Sequence, residues 1–107
     1  MYELLVLQYE NVKGARHALF NYCGSMDNAD LFKKVAVFND SCISDLLLHT
    51  ANTYISWLEN FSLGGTQPFH ENGDVRELKE IKILYEQVDQ FVNEFLKIYS
   101  DDYMLLL

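Results

Sequence analysis

The chain has 107 residues, half of them hydrophobic, so one domain with a real core needs neither disulfides nor metal to fold. Sixteen Asp and Glu against eight Lys and Arg give a formal charge of −8, which repels phosphate backbones and anionic lipid and excludes direct nucleic-acid binding as the expected role. Lys33-Lys34 is the only adjacent basic pair, and no basic stripe interleaves with aromatics as single-strand binders require.

The first predicted helix runs from about Leu4 to Cys23, residues 4–23. Leu5, Tyr9, Val12, Leu19 and Cys23 form its apolar stripe, and Gly24 is placed for a left-handed C-terminal cap. From Met26 to Asn39 the periodicity weakens. Asp27, Asn28 and Asp30 favour a turn, and Val35-Ala36-Val37-Phe38 is open to either helix or extended backbone, so this segment is a connector. The second helix is expected over residues 41–63, with Asp40 or Ser41 as N-cap, Asp45 in the first turn and Gly64-Gly65 as its end. Its main stripe is Ile43, Leu47, Tyr54 and Leu58, yet Leu48 and Ile55 lie on another side, which implies cover from more than one direction.

Pro68 and three of the five glycines mark residues 64–73 as a surface loop. Asp74-Val75-Arg76-Glu77 has capping-box character and opens a third helix over residues 74–99. Leu78, Ile81, Tyr85, Val88, Val92, Phe95 and Tyr99 recur there at steps of three and four, with Lys79, Glu86, Gln90 and Glu94 facing away. The fold class is all-α, and short connections favour antiparallel or near-antiparallel neighbours in a bundle. The tail from Asp101 to Leu107 ends on apolar residues, which reads as a domain incomplete at its C-terminus or one that self-associates.

Cys23 and Cys42 have no Cys-x-x-Cys spacing and are expected as free thiols. The N-terminus lacks a basic n-region and a cleavage site, and no run reaches the length of a membrane span, so the expected location is cytoplasmic, away from membranes. Nucleophile-elbow, Walker and dinucleotide fingerprints are absent from the sequence.

Three histidines are present, and a catalytic metal site commonly takes three protein ligands. His17 lies off the apolar stripe of the first helix and His70 in the Gly/Pro loop, both read as surface residues. No His-x-x-x-His pair places two ligands on one helical face. His49, in Leu46-Leu47-Leu48-His49-Thr50-Ala51, is the pointed residue: in mid-helix among leucines it is either a satisfied boundary histidine or a ligand. Trp57 and the tyrosines at helical spacing read as core.

The segment from Ser44 to Leu58, with His49 two turns ahead of Trp57, resembles the second helix of the DinB/YfiT superfamily. The third helix and the order helix, connector, helix, Gly-rich loop, helix are similar across essentially the whole chain, and the first helix matches more weakly around Tyr9-Glu10-Asn11-Val12. The resemblance implies a DinB-like up-down-down-up four-helix bundle, often dimeric, with a divalent metal, nickel or zinc, between helices two and four. It also implies a thiol-dependent transferase or hydrolase class with a small-molecule thiol substrate. His49 would be one metal ligand, and the other two would come from a His-x-x-x-His pair on helix four. These 107 residues are then expected to carry three of the four helices, to bind metal weakly alone and to have no independent activity. The competing expectation is a non-enzymatic helical interaction module that pairs with itself or with another helical chain.

Overall fold

The computed structural model describes residues 2–62, 64–71 and 74–98. Tyr99 and the apolar tail from Asp101 to Leu107 lie outside the described residues, as do Leu63 and Gly73. The architecture is an all-α helical bundle built on α1 (Tyr2–Gly24), a one-turn α2 (Asn28–Leu31), α3 (Ile43–Tyr54), which continues as a π-helical segment (Ile55–Ser62), and α4 (Leu78–Ile98). No strand occurs among the described residues, and Val35 and Ser41 form a single isolated bridge. No helix among them is long and apolar enough to cross a membrane.

α4 is the central element, with the heptad-like apolar face that the sequence led us to expect. Ile81, Leu84, Tyr85, Val88, Val92 and Leu96 are buried, whereas Lys79, Glu86, Gln90 and Glu94 are not. Its start corrects the expectation for residues 74–77. Asp74 accepts a hydrogen bond from the Glu71 amide (2.8 Å) instead of capping the helix, and α4 begins at Leu78.

α1 packs on α4 in the opposite direction: Tyr2 and Val6 lie beside Leu96, while Gly24 approaches Leu78. Its buried line is Tyr9, Phe20 and Cys23, and Val12 and Leu19 of the expected stripe are exposed. Gly24 does not adopt a left-handed conformation. The helix instead closes through tight turns, Ser25 N–H to Tyr22 O (3.0 Å) and Met26 N–H to Cys23 O (3.1 Å).

The connector resolves into α2, whose Leu31 is buried, an extended Val35 and a single 3-10 turn (Ala36–Phe38). Asn39 and Asp40 then take left-handed backbone angles, which place Cys42, not Asp40 or Ser41, at the N-cap of α3. The cap is a reciprocal box: the Asp45 amide donates to Cys42 Sγ (3.4 Å) and the Cys42 amide to Asp45 Oδ2 (3.1 Å). Both cysteines are free and buried.

α3 buries Ser44, Leu48, Ala51 and Ile55, so the side that looked surplus by spacing is its core face. The expected stripe of Leu47, Tyr54 and Leu58 flanks that face, only partly buried. α3 runs parallel to α4: the Tyr85 hydroxyl donates to Leu47 O (2.7 Å), and further along both helices Tyr54 and Asp89 meet the same residue, Tyr9. Loop 64–77 is therefore a crossover that returns the chain to the end where α3 began. This is the up-down-down order, and α3 and α4 depart from the antiparallel packing that short connections favour.

Candidate functional site

His49 projects from the middle of α3, and its side of the helix is open to solvent. Neither ring nitrogen has a hydrogen-bond partner among the described residues, whereas its backbone carbonyl accepts from the Thr53 hydroxyl (2.9 Å). The boundary reading is thereby corrected: Leu48 is buried and Leu47 partly buried, but Leu46 and His49 are both exposed, so the imidazole needs no internal partner because water reaches it.

Two grooves meet at His49. One, about 470 Å3, is almost wholly apolar and is lined by His49, Thr50, Thr53, Tyr54, Trp57 and Leu58. The other, about 350 Å3, is lined by His49, Asn52, Thr53, Ser56, Trp57 and Phe69. Trp57 is not core, as its helical spacing suggested, but 61 % exposed. The helix winds more widely from Ile55 onward, and Trp57 and Phe61 share an outer face with their rings edge to face at 5.6 Å. A long π-helical stretch of this kind is rare and is often found at functional sites.

The other histidines are elsewhere. His17 is exposed on α1 and borders a groove against α4 together with Lys82. His70 lies in the loop; Asn52 grips its backbone, its Nε2 is buried without a partner, and it borders a groove with Asp74 and Glu80. Among the described residues, no group of three or more His, Cys, Asp or Glu is placed to hold a metal ion.

Arg16 and Asp89, which sequence reasoning passed over, anchor the frame behind the site together with the stripe residues Tyr9 and Tyr85. The Tyr9 hydroxyl donates to Asp89 Oδ1 (2.6 Å), and Arg16 donates to both Asp89 oxygens (2.8 and 2.7 Å). The Arg16 guanidinium also stacks 4.9 Å from the centre of the Tyr85 ring. Burial, and then the bond to Asp89, push the Tyr9 phenol well above its ordinary value, and burial pushes Tyr85 up to about 12. Burial alone would lower Arg16, but the bonds to Asp89 and Tyr9 outweigh it and the guanidinium is held more firmly charged.

The sequence profile of the DinB family matches residues 1–105. The chain belongs to the DinB family. No curated protein and no solved structure matches it. Within this DinB frame, the divalent metal associated with the family can be tested against the residues present. His49 offers one imidazole donor, and the two grooves beside it bring hydroxyl, carboxamide, aromatic and aliphatic groups but no second imidazole, thiolate or carboxylate. The described residues do not fit a metal by themselves.

Proposed function

We propose that this chain is the scaffold of a DinB-type divalent-metal-dependent enzyme of the thiol-dependent transferase or hydrolase class. In this reading His49 is one ligand for nickel or zinc, and the other ligands are supplied from outside the described residues. Alone, the chain holds metal weakly and is inactive. The observation that carries the reading is the His49 imidazole itself, exposed in mid-helix beside Trp57 with no hydrogen-bond partner among the described residues. Family membership supports it.

The test is calorimetric titration of Zn2+ and of Ni2+ into the chain and into His49→Ala, each alone and with a supplied helix carrying a His-x-x-x-His pair. The supplied helix is expected to raise affinity only with His49 present. The loss in His49→Ala should exceed the roughly tenfold effect of removing an outer-shell partner. Equal affinity of the two versions would sink the assignment.

A second reading, a helical module that pairs with a copy of itself, rests on a different observation. Leu4, Leu7, Val12, Leu19 and Tyr22 of α1, Leu46 of α3, and Trp57 and Phe61 of the π-helical segment are all exposed, which offers apolar side chains for such a contact.

A further inference from the structure

The loop that leaves the π-helical segment is tied back onto it by two asparagine side chains. Asn60 donates to Gln67 O (2.9 Å) and accepts from the Gln67 amide (2.8 Å). Asn52 treats His70 in the same way, donating to its carbonyl (2.8 Å) and accepting from its amide (2.9 Å). Each carboxamide pairs with the loop backbone much as a neighbouring strand would, using one donor and one acceptor. A third tie, Gly65 N–H to Glu59 O (2.8 Å), secures the near end of the loop.

Between the two asparagine ties stand Pro68 and Phe69. Proline fixes its own φ and restricts the residue before it, so little freedom is left in this stretch. Phe69 is nonetheless 55 % exposed. A phenyl ring kept in water by backbone anchored on both sides is not serving the core, and it lines the same groove as the exposed Trp57. The remaining lining includes the Ser56 hydroxyl, which has no partner among the described residues, and His49.

We propose that this groove binds a small uncharged aromatic ring between Trp57 and Phe69, with Asn52 as the positioning residue that holds Phe69 in place. The proposal rests on the reading of the His49 face as the ligand-facing side and names the class of molecule presented there. Two aromatic side chains favour a third ring through offset or edge-to-face contacts that a saturated ring cannot make. A groove of about 350 Å3 is at the small end of ligand sites and has room for a single ring. The net charge of −8 disfavours an anion, and Ser56 can serve a hydroxyl substituent.

The experiment uses the chain's only tryptophan as reporter. Benzyl alcohol is titrated while Trp57 emission is followed, cyclohexylmethanol serves as the saturated control, and saturation-transfer NMR gives an independent readout. Saturable binding of benzyl alcohol is expected, about fivefold tighter than the control. Phe69→Ala and Asn52→Ala should each weaken it by about the same factor. Asn52→Asp, which keeps the acceptor for the His70 amide but loses the donor to its carbonyl, should fall between. A non-saturating response, equal affinity for the saturated ring, or binding unchanged in Phe69→Ala overturns the proposal. Phe69 is exposed, so that variant decides the matter even if Asn52→Ala fails to fold by circular dichroism. Ring binding is titrated without metal and the metal response is titrated without the ring, so the two readings fail separately.

Discussion

Asp89 receives hydrogen bonds from Tyr9 and, twice, from Arg16, so a carboxylate on α4 gathers the α1 face around it. Both members of the ion pair are mostly covered, with side-chain exposures of 15 % and 22 %, and the pair is bidentate, unlike an exposed surface bridge. Arg16→Met, which keeps much of the stem, is expected to cost about 2 kcal/mol in urea unfolding. The same cluster sets an alkaline limit. Tyr9 and Tyr85 are both raised in the folded state, so their contribution is fully present below the unfolded phenol value of about 10. Above that pH the unfolded chain releases protons that the folded chain keeps, and stability falls. The melting temperature should therefore drop above about pH 10, and less steeply in Tyr9→Phe. Helix-by-helix reading placed Tyr9 and Tyr85 on apolar stripes but not the polar contacts that join them to Arg16 and Asp89. Arg16 and Asp89 are 73 positions apart, and an apolar stripe drawn through Val12 and Leu19 has no means of registering a charged seam beside it.

The α3 arm shows how an element can be expected correctly and still be turned. Its span and the Gly64 end agree with expectation; Gly64 takes φ 72°, which suits a residue without Cβ. The face rotated because α3 and α4 run parallel and Leu48, Ala51 and Ile55 meet α4, leaving the Tyr54 side as a flank. At the start of the arm, burial would raise the Asp45 carboxyl. The Lys34 ammonium and the Cys42 amide outweigh it, and the group is held below the usual carboxylate range. A depressed acid stabilises the fold above its unfolded value, about 4, and that contribution disappears as pH falls through the lower folded value. Asp45→Asn should cost about 1 kcal/mol of cap energy at neutral pH, read as a lower melting temperature, and should flatten the loss of stability below about pH 4. The asparagine ties at Asn52 and Asn60 carried only a faint signal, two poor helix formers inside a long helix.

At the scale of the molecule, α1 and α3 both pack on α4, and apolar side chains remain open on each of them. If these faces pair two copies, each copy brings a charge of −8 to the contact. Light scattering across a concentration series should then show association that strengthens with added salt as the repulsion is screened within a Debye length of about 8 Å. Leu46→Glu, a change at an exposed α3 position, should favour the monomer without altering helical content. A monomer at all salt and protein concentrations would remove the pairing reading.

Helix class, helix order, the crossover glycines and the singular position of His49 could all be read from the chain, because each depends on local periodicity, turn chemistry or a family pattern carried by adjacent residues. Tertiary structure alone decided which side of α3 is core, that Trp57 stands in water, that Arg16 and Asp89 lock α1 to α4, and that two asparagines hold Phe69 beside His49. Those outcomes depend on contacts between segments distant in sequence. A helical wheel gives the angle of a side chain about its own axis, but not which neighbour, if any, lies in that direction.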